Sequence, residues 1–244
     1  MRHYFIILSS LIALINAKLP PFIKPCDISS NELNKCIKDN IKSAKPHIVE
    51  GIPDMSIPSF KEIPIPYSTL DVPDFHFAVS NYVIGGIDVF EVQKVDADFK
   101  NNVIKVEAFF PLLIGNGLAE IKGNVFNMNF DSMGPIYANL SNIVMIYTLK
   151  ISLVERDGIQ YMVKDSHEIT SKQNSGKFYV HIENLSIGNE TATEIMNDAL
   201  NVHNDQFLKI LFPILVNSLS QLLDSLVSAL FKHCSFNDFF PKYK

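Results

Sequence analysis

The chain predicts an α+β fold in which a strongly curved antiparallel sheet wraps a long C-terminal helix. Three observations carry that expectation. Val202 to Lys232 is apolar around most of a helical circumference, Phe75 to Leu185 alternates with a period of two, and no linker separates them. In the first stretch Leu208, Leu211, Leu215, Leu219, Leu222, Leu226 and Leu230 recur at steps of three and four. Phe212, Val216, Leu223 and Val227 widen that row well beyond the stripe of a surface helix. Asp224 is the single charge between Ile210 and Phe231. A helix of this kind needs enclosure by protein or by lipid. Asn217, Gln221 and Asp224 on one edge, with Pro213 in the second turn, argue against lipid, since a central aspartate costs about 3 kcal/mol on insertion scales. The polar tail from Lys232 to Lys244 also excludes a lipid-anchor signal.

The elements upstream follow in order. Met1 to Ala17, with Arg2 ahead of an apolar run and small Ala17 at its end, reads as a secretory signal peptide. Residues 18–244 then form one domain. The chain holds 21 basic against 26 acidic residues, and removing the leader takes Arg2 away. A net-acidic exterior disfavours nucleic acid and anionic lipid as partners. The expectation is a soluble extracellular monomer with no stable membrane insertion. Export agrees with a disulfide between Cys26 and Cys36, and leaves Cys234 odd. Three acceptors for N-linked sugar follow from the same reading, at Asn139, Asn184 and Asn189.

Ser30 to Gly51 predicts a first helix, with Leu33, Cys36, Ile37, Ile41 and Ala44 on one face, Ser29 or Ser30 as its cap and Gly51 as its end. Prolines from Pro46 to Pro73 make the next segment extended and unfit for a central strand. Val89 to Phe99 and the run from Val103 form a hairpin about Asn101-Asn102. Ile143 to Leu153 alternates without a break and turns back at Asp157-Gly158. Thr191-Ala192-Thr193-Glu194 reads as a capping box opening the helix that leads into the long one.

Enzyme motifs fail on named residues. His167-Glu168 begins like a zinc-protease helix, but Ser171 stands where the second histidine belongs. Gly115-Asn116-Gly117 starts like a dinucleotide loop, but Glu120 replaces the last small residue and a strand pattern follows. No cofactor or metal and no catalytic residue is expected. Aromatic and methionine side chains on the inner registers suit either a packed core or the wall of an apolar pocket.

Leu19-Pro20-Pro21-Phe22-Ile23-Lys24-Pro25-Cys26 is followed by Cys36, and then by Gly51-Ile52-Pro53, Phe110-Pro111-Leu112-Leu113, Ile121-Lys122-Gly123, Leu200-Asn201 and the closing Asp238-Phe239-Phe240-Pro241. In order and spacing across the mature chain these motifs resemble those of the insect takeout and juvenile-hormone-binding protein family, the first looking like its amino-terminal motif. The resemblance implies a tubular lipid-binding architecture with an elongated apolar tunnel, and secretion into haemolymph or sensory fluid. It also implies carriage of small hydrophobic molecules such as juvenile-hormone-like terpenoids or fatty acids. Feeding, daily rhythm and olfaction are roles implied only at family level. Cys26 and Cys36 would be the family's amino-terminal disulfide, while Cys234 has no partner for the second bridge of dedicated hormone carriers. Chosen by register, the tunnel wall would hold Phe75, Phe77, Phe90, Phe109, Phe110, Tyr147, Phe207, Leu211, Leu215 and Leu219. Two other readings stay open: a protein with a filled interior that acts on a protein receptor, and a lipid-transfer protein working at membrane surfaces.

Overall fold

A computed structural model describes residues 19–241 apart from 126–127, 173–175 and 187–188; the expected leader, 1–17, lies outside them. Helix α1 spans Leu33–Glu50 and ends at Gly51, whose φ of 88° suits a residue without a Cβ. Neither Ser29 nor Ser30 caps it: the cap position is Glu32, and the Ser30 hydroxyl accepts from the Glu32 backbone just outside the helix. Pro46 sits inside α1.

The sheet is built on two long strands, β5 (Val103–Val125) and β6 (Met128–Arg156), paired antiparallel over nearly their full lengths. Shorter strands lie end to end along them. β3 (Phe75–Gly85) and β4 (Glu91–Asp98) share the far side of β5. β7 (Ile159–Ser171) and β8 (Lys177–Ile182) share the far side of β6. β1 (Glu62–Ile65) and β2 (Ser68–Val72) pair with β3 at the edge, where Pro64 needs no inner partner. The turns fall where the residues place them: Asn102 has φ 56°, and Asp157 and Gly158 have φ 52° and 76°.

Both long strands change inner face at one shared point. On β6 the buried positions are Ile136, Ala138 and Leu140, then Ile143, Met145 and Leu149. On β5 the inward residues are Ala108 and Phe110 before Pro111, then Leu113, Ala119 and Ile121 after it. Pro111 lies opposite Asn142, which takes φ 56°. A slip of one residue turns a strand over, and here both strands slip together, so one inner face continues through the switch. The switch divides the sheet into two halves.

The sheet is open. Its path runs β1-β3-β5-β6-β7 with free ends, neither closed nor strongly curled, and this overturns the expectation of a strongly curved sheet wrapped around the helix. The physical reason is that alternation fixes which face is buried, whereas closure requires edge strands to bond to one another. Here edges bond to helices instead. Asn197 and Asn201 of α2 (Glu190–Val202) each accept from and donate to one backbone residue of β8, Ile182 and Val180 respectively, at 2.7–2.9 Å. Asn204, opening the next helix, donates to Phe178. The three amides replace a missing neighbour strand. At the opposite corner Asn34, Lys38 and Lys45 of α1 reach the backbone of Ala97, Gln93 and Phe90, along β4 and the loop before it.

Helix α2 is capped by Asn189, whose Oδ1 accepts from the Ala192 backbone, not by the expected Thr191 box. Thr193 turns to the Ser186 backbone instead. The long helix α3 (Asn204–His233) lies against the inner face of the sheet. Its segment Leu211–His233, with mean hydropathy 1.5, is long and apolar enough to cross a membrane. Its central charge is satisfied by protein, however: Asp224 pairs with Lys164 of β7 and lies 3.0 Å from His167. The short α4 (Phe236–Phe239) closes the chain with a reciprocal Ser235–Asp238 capping box.

Candidate functional site

Two spaces lie between α3 and the sheet, one in each half. In the half spanned by β1, β3 and β8 the inner face carries Phe77, Ile121, Phe130 and Ile182, all fully buried. Leu208, Leu211, Phe212 and Leu215 pack down on that half, and about 70 Å³ remains. Gly115 and Gly117 belong to this packing. Tyr82 lies across them, and a Cβ at either would collide with it. Burial pushes the Tyr82 phenol up to about 12. The glycine pair that resembles a nucleotide loop is therefore a berth for a tyrosine.

The other half is hollow. A cavity of about 330 Å³ lies between α3, the β4–β7 strands and α1. Small residues stand among its larger lining side chains: Val106 and Ala108 of β5 and Ala44 of α1 all border it. Leu222, Leu223, Leu226 and Leu230 of α3 are only half-buried because they present their free surface to this space. The wall is almost wholly apolar. One exception is Tyr147, whose hydroxyl is buried and has no hydrogen-bond partner among the described residues. Burial, and then the nearby Asp224 carboxylate, raise its pKa far above the phenol range. It stays a neutral donor at any physiological pH. The Cys26–Cys36 disulfide, with Cα atoms 5.9 Å apart, ties the amino-terminal segment to α1 beside this cavity. Cys26 also donates its backbone N–H to Phe239, joining the two ends of the described chain.

The expected wall residues divide between the halves. Phe90, Phe110, Tyr147 and Leu219 line the large cavity. Phe77, Leu211 and Leu215 line the small space. Phe75 is buried in the core and borders neither. Phe109 pairs with Val144 on the outer face, one residue off the inner register. The Phe207 side chain lies outside the described residues. Absent from the expectation were the α1 face (Ile37, Ile41 and Ala44) and the lower turns of α3 (Leu222, Leu223 and Leu226). Both were visible as apolar helix faces, but nothing in the sequence said that they border one cavity, with Leu222 and Leu226 also packing against the Ala44 cluster.

Cys234 is buried and free, its thiol raised to about 11 by burial and then by Asp238. Asn184 and Asn189 are exposed around the start of α2, and Asn139 sits within β6 between Ile114 and Tyr179. Among the described residues no group of three or more His, Cys, Asp or Glu could hold a metal ion.

The model of the family described as haemolymph juvenile hormone binding protein matches residues 5–241. The crystal structure of Epiphyas postvittana Takeout 1 superposes with a TM-score of 0.80 at 15% identity, covering 90% of this chain and 100% of that one. At that identity the likeness speaks for the fold alone. No curated protein matches the chain by sequence.

Proposed function

Because the chain belongs to the haemolymph juvenile hormone binding protein family, we propose that it is an extracellular carrier of a small hydrophobic molecule, held in the 330 Å³ cavity between α1, α3 and the sheet. Membership places it among binding proteins and not among enzymes. The cavity is the observation that carries the proposal. It falls in the usual size range for small-molecule sites, about 300–1,000 Å³, and its lining asks for an apolar guest.

The mechanism is desolvation. A guest of about 15 carbons, at about 0.8 kcal/mol for each buried methylene, gains roughly 12 kcal/mol gross. Lost rigid-body freedom and ordering of the entry reduce that toward micromolar or nanomolar affinity. Tyr147 adds orientation. Its hydroxyl is buried without a partner among the described residues, so a guest with one acceptor oxygen, such as an ester, epoxide or carbonyl, completes it when the ring turns the hydroxyl into the cavity. Terpenoid esters and fatty-acyl chains both meet that description. The leader expected at 1–17 and the disulfide support export.

The test is native mass spectrometry of the protein secreted from insect cells, before and after organic extraction. An adduct of a few hundred daltons that solvent removes is the expected result. A clean apo mass, with no uptake of terpenoid or fatty-acyl probes, would sink the carrier reading.

A further inference from the structure

The outer face of the sheet, turned away from α3, carries an apolar patch in its filled half. Met133 is 61% exposed, Tyr137 40% and Tyr179 44%, with Ile114 and Leu118 half-buried among them. Exposed apolar clusters on a sheet face call for a cover. At the centre of this one stands Asn139. Strand alternation between the buried Ala138 and Leu140 turns its half-buried side chain outward, although the residue also borders the small inner space. It lies opposite Ile114 of β5 on one side and Tyr179 of β8 on the other. Tyr137, two residues earlier on the same strand, points to the same face. The Asn139 amide makes no hydrogen bond among the described residues.

The sequence at this point is Asn139-Leu140-Ser141, an acceptor for N-linked sugar. The two observations are independent, because a sequon says nothing about aromatic neighbours and an apolar patch says nothing about a sequon. Sugar rings carry a face of C–H groups that packs on aromatic rings, and directly opposed strand residues lie within about 4.5–5.5 Å of one another at Cβ. We propose that Asn139 carries an N-linked glycan whose first N-acetylglucosamine lies between Tyr137 and Tyr179 and covers this face. Asn139 is then the structural glycan of the three acceptors. Asn189 differs, because its side chain already caps α2, and Asn184 sits exposed in the turn after β8. The inference rests on export, which the proposed function shares, but not on a ligand in the cavity.

The experiment is glycopeptide mass spectrometry of the full chain secreted from insect cells, combined with thermal unfolding. Asn139 should be modified in most molecules. Asn139→Gln and Ser141→Ala, which remove the sugar through different side chains, should each lower Tm by about 2–4 °C. In the glycosylated protein Tyr179→Ala should also lower Tm, and in the Ser141→Ala background it should change little. A secreted chain modified at Asn184 or Asn189 but bare at Asn139 overturns the proposal while leaving export standing. So does a bare chain that elutes as a dimer, since a second copy would then cover the face. Glycan at Asn139 with no coupling to Tyr137 or Tyr179 overturns the packing. A chain retained in the cell with every acceptor bare would defeat the export reading and this inference together.

Discussion

The two halves of the sheet are made from the same two strands and covered by the same helix, yet one is packed solid and the other is hollow. In the packed half Phe77, Phe130 and Tyr82 meet the upper turns of α3 and leave about 70 Å³. In the hollow half Val106, Ala108 and Ala44 leave about 330 Å³. The edges differ in the same sense. α2 is fixed to β8 by amides of which Asn197 is buried, whereas α1 reaches β4 largely through exposed lysine and asparagine ends. Stability is thus concentrated in one half and binding space in the other. A protein that must open to admit a guest can do so without loosening its core.

The largest expected effect comes from making one substitution in both halves. Ala108→Phe places a ring in the hollow, where it should cost little stability and lower affinity for a hydrophobic probe by tenfold or more, read by fluorescence displacement. Ala138→Phe places the same ring in the packed half, where overpacking should cost about 1–3 kcal/mol. Equal loss of stability at the two sites would show that the halves do not differ as described.

The edges provide the next test. Asn197→Ala strips the partners from both the N–H and the C=O of buried Ile182, at about 1–3 kcal/mol for each unsatisfied group. Chemical denaturation should show the loss plainly. Lys38→Ala on α1 removes a single exposed hydrogen bond and should stay within about 0.5 kcal/mol. If Lys38→Ala proved as damaging as Asn197→Ala, α1 would have to be counted as part of the rigid frame.

Much of this was legible in the sequence, and the misses share a cause. Strand and helix positions, the turns at Asn101-Asn102 and Asp157-Gly158, and the Cys26–Cys36 pair all rest on local chemistry that a few neighbours determine. The curvature of the sheet was misjudged because period-two alternation carries no information about closure. The site was half legible. Of the residues chosen by register, Phe90, Phe110, Tyr147 and Leu219 border the cavity, whereas Phe109 lies one residue off, just before the switch of face at Pro111. Ala44 and Ala108 were read as helix-face and strand positions and not as cavity wall, because small residues leave no signal of the space beside them. The amide ladder on β8 was hidden likewise: Asn197 and Asn201 stand one helical turn apart, and only the strand beside them gives that spacing a meaning.

The smallest effect separates the halves by their response to alkali. Tyr82, half-buried in the packed half, holds its proton up to about 12 when folded, but titrates near 10 when unfolded. Between those values the unfolded chain gives up a proton that the folded chain keeps, so the stability present below pH 10 is lost as pH rises toward 12. Tyr147 in the hollow half is raised in the same direction. Replacing either with Phe should therefore flatten the alkaline decline of Tm, but the two variants should part at neutral pH. Tyr82→Phe removes a hydroxyl from a filled berth and should leave ligand affinity unchanged. Tyr147→Phe removes the unsatisfied donor at little cost to the apo protein, and should weaken an acceptor-bearing guest by up to about tenfold, the worth of one hydrogen bond. A Tyr147→Phe protein that bound an ester and its hydrocarbon analogue with the same preference as the parent would show that the hollow half selects by volume alone.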